Sequence, residues 1–367
     1  MYSLTGILEK MQEIDASDVH ITVGVPPIFR VRGELVRYGE EPFKPNETRA
    51  ICYEVMTESQ KKRLEEDDEI DFSFGLKGIS RFRANVYMQR GNVAAAFRSI
   101  PYKVRNCDEL GIPLIIQSLT YKSRGLVLVT GPTGTGKSTT LASLIDKIND
   151  EQACHIVTIE DPIEYVHMHK KSIVNQRELY SDTHSFARAL KSILRQDPDV
   201  VLVGELRDPE TIELAMTISE TGHLTMGTLH TNSALQTINR IIDVFPPYQQ
   251  PQVRTQLSFV LEGVVSQQLI PTKDGLGRAL AMEVLIPTSG IRNLIREDKV
   301  HQIYSSMQTG QNVTGMFTMT QSLVDLARKN IITTEDAVAY AVYPDEVTRA
   351  LGGGNKQQGL GSGMGLK

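Results

Sequence analysis

Apolar positions change their spacing near residue 100. Before it, Leu4, Ile7, Leu8, Met11 and Ile14 recur at helical intervals, which predicts an amphipathic helix at the start of the chain. Short alternating runs follow, Val19-His-Ile-Thr-Val23 and Ile28-Phe-Arg-Val-Arg32, separated by Gly and Pro as strand ends commonly are. A charge-rich helix is predicted over residues 46 to 66. Strands are then predicted at Asp71-Phe-Ser-Phe74, Arg81-Phe-Arg-Ala-Asn-Val-Tyr87 and Ala94-Ala-Ala-Phe-Arg-Ser-Ile100, with a turn at Gln89-Arg-Gly-Asn92. This is the pattern of a small antiparallel sheet with helices, an α+β module. Beyond residue 110 the texture is different: continuous apolar runs at 126–130, 155–159 and 199–203 alternate with helical patterns, as in a parallel α/β sheet whose strands are buried on both faces. The expected organisation is an α/β chain with an α+β domain over 1–100, a linker over 101–112, a second domain over 113–350 ending in helices, and a flexible Gly-rich tail over 351–367 that has almost nothing to bury.

The length of 367 residues fits two folded units with separate cores. A formal net charge of −5 argues against a general nucleic-acid or anionic-membrane binder, whose affinity comes largely from clustered Lys and Arg. Cys52, Cys107 and Cys154 lie far apart and form no C-x-x-C pair, so neither a structural zinc site nor a disulfide framework is expected and a reducing compartment fits. The N-terminal stretch carries Glu9 and Lys10 in place of a long apolar core, and no later run reaches the eighteen or so apolar residues that spanning requires. A cytoplasmic protein is expected.

Chemistry enters with Gly131-Pro-Thr-Gly-Thr-Gly-Lys-Ser138, a complete G-x-x-x-x-G-K-[ST] phosphate loop following the buried-strand run Gly125-Leu-Val-Leu-Val-Thr130. Gly131, Gly134 and Gly136 let successive backbone N–H groups turn toward one anion, at the positive end of the helix that follows. Pro132, Thr133, Thr135 and Thr139 complete the nucleotide-binding stretch. Lys137 is placed to reach the β- and γ-phosphates, and Ser138 to offer its hydroxyl to Mg²⁺.

Three further segments decide what the nucleotide is for. Thr158-Ile-Glu-Asp-Pro-Ile-Glu164 puts Glu160 and Glu164 at the carboxyl end of a strand, where open parallel sheets place ligand chemistry. There they can orient water or hold a hydrated metal, or simply start a helix. Asp199-Val-Val-Leu-Val-Gly-Glu-Leu-Arg-Asp208 ends a buried run in Glu205, which can align and deprotonate the attacking water or anchor water around the metal. Thr221-Gly-His-Leu-Thr-Met-Gly-Thr-Leu-His-Thr231 carries His223 and His230; the second stands at a fourth strand end, where it can report the γ-phosphate.

In this order the four segments resemble the Walker A, Asp box, Walker B and His box of the secretion and type IV pilus ATPases. Ala16-Ser-Asp-Val-His-Ile-Thr-Val-Gly-Val-Pro-Pro27 with Arg30-Val-Arg-Gly-Glu-Leu35 is similar to that family's PAS-like N-terminal module, so the resemblance covers residues 1 to 345. It implies a PAS-like domain followed by a RecA-like P-loop ATPase domain with a mostly parallel sheet. The retraction branch is indicated in particular. The chain starts directly at the PAS-like module and lacks the cysteine-rich zinc insertion of many extension and secretion members. Ile291-Arg-Asn-Leu-Ile-Arg-Glu297 also matches the retraction members' motif apart from Gly290 in place of its leading Ala. On its own this stretch reads as an amphipathic helix with Ile291, Leu294 and Ile295 buried and Arg292, Arg296 and Glu297 in solvent.

The resemblance further implies a homo-hexamer with head-to-tail contacts, ATP and Mg²⁺ as ligands, and an inner-membrane platform protein as partner. The membrane would be met only through that partner, at the inner face of the cytoplasmic membrane, and no nucleic acid would be bound. Arg81 and Arg83 on one strand face, with Arg98 on the next strand, are the candidates to reach nucleotide phosphate across a gap. Alternatives are an extension or type II secretion ATPase, or a non-hydrolysing nucleotide-gated regulator. A RecA-like helicase is disfavoured by the negative net charge and the absence of Trp.

Overall fold

The protein is described by a computed structural model over residues 2–100 and 103–352, so the first two linker positions and the tail from 353 lie outside the described residues. Two compact units emerge. One takes in the chain up to Val104 together with Glu160–Met168 and Gln176–His184; the other takes in Arg105–Ile159, His169–Asn175 and the chain from Ser185 onward.

In the first unit, α1 (Leu4–Glu13) starts at Ser3, whose hydroxyl accepts the Gly6 N–H, and it buries Leu4, Ile7, Leu8 and Met11 at the expected spacing. It is followed by β1 (Asp18–Ile21), β2 (Ile28–Val31), β3 (Glu34–Arg37), α2 (Pro45–Glu54), α3 (Glu58–Asp67), β4 (Glu69–Leu76), β5 (Ser80–Gln89) and β6 (Asn92–Ile100). The charge-rich stretch is thus two helices, not one. Thr57 and Gln60 form a reciprocal capping box that restarts the helix. Six antiparallel strands run in the order β3-β2-β1-β6-β5-β4. β5 and β6 meet through Arg90 and Gly91, both at positive φ (51° and 75°), as a tight hairpin requires. Along β5 Phe82, Ala84 and Val86 enter the core, leaving Arg81 and Arg83 on the opposite face.

The second unit contains α4 (Leu114–Gln117), β7 (Gly125–Thr130), α5 (Lys137–Glu151), β8 (His155–Glu160), β9 (Ile173–Glu178), α6 (Phe186–Ile193), β10 (Val200–Val203), α7 (Pro209–Glu220), β11 (Leu224–Leu229) and α8 (Ala234–Asp243), although the ends of β8 and β9 group with the first unit. Next come α9 (Gln250–Val260), β12 (Leu261–Pro271), β13 (Arg278–Leu285), α10 (Ser289–Arg296), α11 (Ile303–Thr314), α12 (Met319–Arg328), α13 (Thr334–Ala339) and α14 (Pro344–Ala350). The seven-stranded sheet has the order β13-β12-β7-β11-β10-β8-β9. β12, β7, β11, β10 and β8 are mutually parallel, and β13 is antiparallel at one edge. All six residues of β7 are buried, because helices cover both faces of the sheet and strands flank both edges of β7.

α10 corrects one expectation. Ile291 and Ile295 are buried as anticipated, but Arg292 is not a solvated charge: it donates to the Ser258 and Phe259 carbonyls at 2.8 and 3.0 Å and to Glu262 at 2.7 Å. Ser258 and Phe259 belong to the last turn of α9, whose carbonyls lack onward helical partners, so a cation is favoured there. Gly290 has no such task. A β-carbon there would meet only the Thr288 hydroxyl at 3.7 Å, an ordinary contact, and the backbone is not left-handed. Gly290→Ala is therefore expected to raise unfolding stability by about 0.4–1 kcal/mol; a lower denaturant midpoint would contradict this.

Candidate functional site

The phosphate loop grows out of the buried end of β7 and into α5. Gly131, Gly134 and Gly136 have φ of 147°, 81° and 85°, conformations that side chains resist. At Gly131 a β-carbon would overlap the Gln267 carbonyl oxygen of neighbouring β12 and would lie 2.7 Å from the Thr135 hydroxyl. Pro132, Thr133 and Gly134 are exposed, and the Thr135 hydroxyl closes the turn onto the Pro132 carbonyl at 2.9 Å. Lys137, only 8% exposed, lays its ammonium against the Gly131 and Pro132 carbonyls at 2.8 and 3.0 Å. Ser138 and Thr139 follow half-buried in the first turn of α5, where N–H groups without helical partners face outward. The glycine cradle, the amide dipoles and one buried ammonium fit a polyphosphate. Ser138 and Glu205 are hard oxygen donors of the type Mg²⁺ takes.

Glu205 stands just beyond β10, and its backbone is pinned to β11: the Leu206 N–H donates to Thr228 O at 3.0 Å, and the Thr228 hydroxyl donates to Gly204 O. Its carboxylate lies 2.7 Å from the Arg207 guanidinium and 3.3 Å from Nε2 of His230, which follows β11. Burial alone would push this carboxyl up, but the Arg207 hydrogen bond and charge, then His230 and Lys137, outweigh it and hold the group below its ordinary range. Glu205 is thus ionised at neutral pH, amid three cationic or potentially cationic groups. Asp208, further along the same segment, has the separate task of capping α7 through the Thr211 N–H.

The other candidates are distributed differently. Glu160 accepts from Gln176 at 3.1 Å, and Glu164 is exposed. His223 stands apart from His230: it precedes β11, with Nδ1 3.1 Å from the Ile218 carbonyl, whereas His230 follows that strand. Because β11 runs parallel to β7, His223 falls at the start of the sheet beside Gly125, about 20 Å from the loop of its own chain. The arginines lie on the sheet of the first unit, each near an acid. Arg98 is 2.8 Å from Asp18, Arg83 is 3.7 Å from Asp71, and Arg81 reaches Ser73 and the buried Glu178. Arg83 and Arg98 are directly opposed across β5 and β6, so these acids also relieve a like-charge pair.

Two participants were not anticipated from the sequence. Arg207 lies within the Glu205 segment, and its spacing of two residues was the available signal. Gln267, 1% exposed, donates to the Thr135 carbonyl at 2.7 Å and supports the phosphate loop from behind. Its signal was a polar Ser266-Gln-Gln268 interruption inside an otherwise apolar strand.

Comparison with known proteins identifies similar chains. The family model described as type II/IV secretion system protein matches residues 2–322. The type IV pilus retraction ATPase PilT of Pseudomonas aeruginosa is 49% identical over 342 residues, covering 93% of this chain and 99% of that protein. A twitching motility protein of Neisseria gonorrhoeae is 51% identical over 311 residues, covering 85% and 83%. A crystal structure of the pilus retraction motor PilT with bound ADP superposes with a TM-score of 0.90 at 51% identity, covering 95% of this chain and all of the other.

Proposed function

We propose how a chain that belongs to the type II/IV secretion system protein family, and within it is an ATPase of type IV pilus retraction, uses the groups described above. The loop N–H groups from Thr133 to Thr139 and the Lys137 ammonium hold the phosphates of ATP, with Gly131 and Pro132 shaping the turn. Ser138 and Glu205 supply the oxygens for Mg²⁺, which when bound neutralises charge developing on the transferred phosphoryl group. Glu205 aligns the attacking water and accepts its proton, with Glu160 and Glu164 as alternative or assisting carboxylates. His230, beside Glu205, responds to the presence of the γ-phosphate, with His223 as the second candidate for that role. Arg81, Arg83 and Arg98 are the candidates to reach phosphate from a neighbouring copy in a hexameric ring. Arg98, at 65% exposure, is freer to do so than Arg81, which is held to a carboxylate of 3% exposure.

Loss of the γ-phosphate removes contacts that favour one pose of the chain, and only such differential contacts can drive movement. Repeated around the ring, this would act on a platform protein at the inner face of the cytoplasmic membrane and disassemble pili. Among the described residues no helix is long and apolar enough to cross a membrane.

The observation that carries this reading is the ionised Glu205 carboxylate held next to His230 under the influence of Lys137. The decisive cellular experiment is deletion of the gene. Cells should remain piliated but lose twitching, whereas disappearance of pili would assign the chain to extension. Purified protein should hydrolyse ATP in an Mg²⁺-dependent manner as a roughly sixfold assembly by mass; tight ATP binding without turnover would favour the regulatory alternative.

A further inference from the structure

Glu283 on β13 is a buried carboxylate, 2% exposed, with no place in the chemistry above. One oxygen accepts the N–H of Ala234 at 2.7 Å and the other accepts the N–H of Met319 at 3.2 Å. These are the first residues of α8 and α12, so a single side chain joins the starts of two helices. Ser233 and Thr318 cap the same helices at other donors, the N–H groups of Gln236 and Gln321, so Glu283 takes the first N–H groups that those caps leave over. Burial pushes the Glu283 carboxyl up, and the two N–H groups only partly offset this. A carboxyl group kept in so unfavourable a place to serve two helix starts at once points to a role beyond satisfying them.

The neighbourhood supplies one. α8 begins four residues after His230. On its other side the Thr231 and Thr237 hydroxyls meet at 2.6 Å, Thr237 reaches the Thr130 hydroxyl at 3.4 Å, and Thr130 meets Ser266 at 2.8 Å. The residue next to His230 is thereby tied to the last residue of the strand that bears the phosphate loop. Beyond Met319 the polar path continues. Thr320 lies 3.3 Å from the Tyr304 hydroxyl, which donates to Glu346 of α14 at 2.7 Å. Met319 itself packs in the cluster formed by α12, α13 and α14.

We propose that Glu283 is a positioning residue that fixes the start of α8, and through it His230 against Glu205, while linking that start to the C-terminal helices. This rests on the reading in which His230 responds to the γ-phosphate.

The test is a double-mutant cycle on the full-length assembled protein, with kcat and KM for ATP measured well below the melting temperature. Glu283→Gln keeps the size of the side chain but turns one acceptor into a donor facing an N–H. It is expected to lower kcat about tenfold with KM within about twofold, since small misplacements of catalytic groups are costly. In a His230→Ala background the same change should have little further effect on kcat. A lowered melting temperature with unchanged kcat, or the same fractional loss in both backgrounds, overturns the proposal. Full turnover by His230→Ala alone would instead remove the sensor role, and the proposal with it, and that single variant separates the two failures. Should Glu283→Gln not fold, Ala234→Pro deletes the N–H on the α8 side at a first helical position, where α2, α7 and α14 already carry proline, and Ala234→Val controls for the added bulk at this buried site. The proline variant must then reproduce the kcat loss beyond that of the valine control, and undiminished kcat overturns the proposal equally.

Discussion

Glu205→Gln is expected to leave ATP binding intact and to lower turnover by about 10²–10⁴-fold, the usual worth of a positioned general base. The amide matches the carboxylate in size, so the backbone ties of Gly204 and Leu206 to Thr228 survive. What changes is chemical. An amide has no proton affinity near neutral pH, and it surrenders the charge that Arg207 and His230 approach at 2.7 and 3.3 Å. Because the amide keeps an oxygen for Mg²⁺ and the loss falls mainly on proton acceptance, it should appear in kcat, with KM and the nucleotide dissociation constant moving within about threefold. Phosphate release at saturating ATP, set beside binding of a fluorescent nucleotide, separates the two. Turnover within about threefold of the parent would take Glu205 out of the base role and leave Glu160 or Glu164 to fill it.

Lys137→Ala should act earlier in the cycle. Lys137 is 8% exposed and its ammonium rests on two loop carbonyls, so its charge is directed inward at the place where phosphate oxygens would lie. Removing one such preorganised donor commonly costs about 10²–10³-fold. Here the loss should appear first in nucleotide affinity and then in turnover. Measured binding of ATP and ADP should weaken together, in contrast to the Glu205 variant; retention of both affinities would mean that the amide cradle alone holds the phosphates.

Much of this was legible in the order of residues. The phosphate loop and the apolar runs before Gly131 and Glu205 fix a parallel sheet with its chemistry at the strand ends, because a strand buried on both faces leaves no polar alternation to misread. The alternation through Arg81 to Tyr87 likewise located β5 and its exposed arginines. What escaped depends on partners distant in sequence. Arg292 reads as a surface charge until α9 brings its terminal carbonyls alongside. His230 could be placed at a strand end from the sequence, but how far His223 lies from it follows only from the course of β11. The helix break at Thr57 was available as a Thr-x-x-Gln capping box and was obscured by the charge that continues on both sides. Gln267 and Glu283 gave weak signals, since a polar residue inside a strand does not announce which loop or helix start it will meet.

The support that β12 gives the phosphate loop also bears on synthesis. β7 emerges from the ribosome long before either of its flanking strands, and the Gln267-to-Thr135 hydrogen bond spans 132 positions. Until residues near 267 have been translated, Gly131 has no carbonyl behind it to close off other conformations, and closing so long a loop is a slow step for a parallel sheet. Competence to bind nucleotide is therefore a late acquisition of the growing chain, and a protein truncated before Leu261 would carry the whole Walker A sequence without the surface that gives it shape.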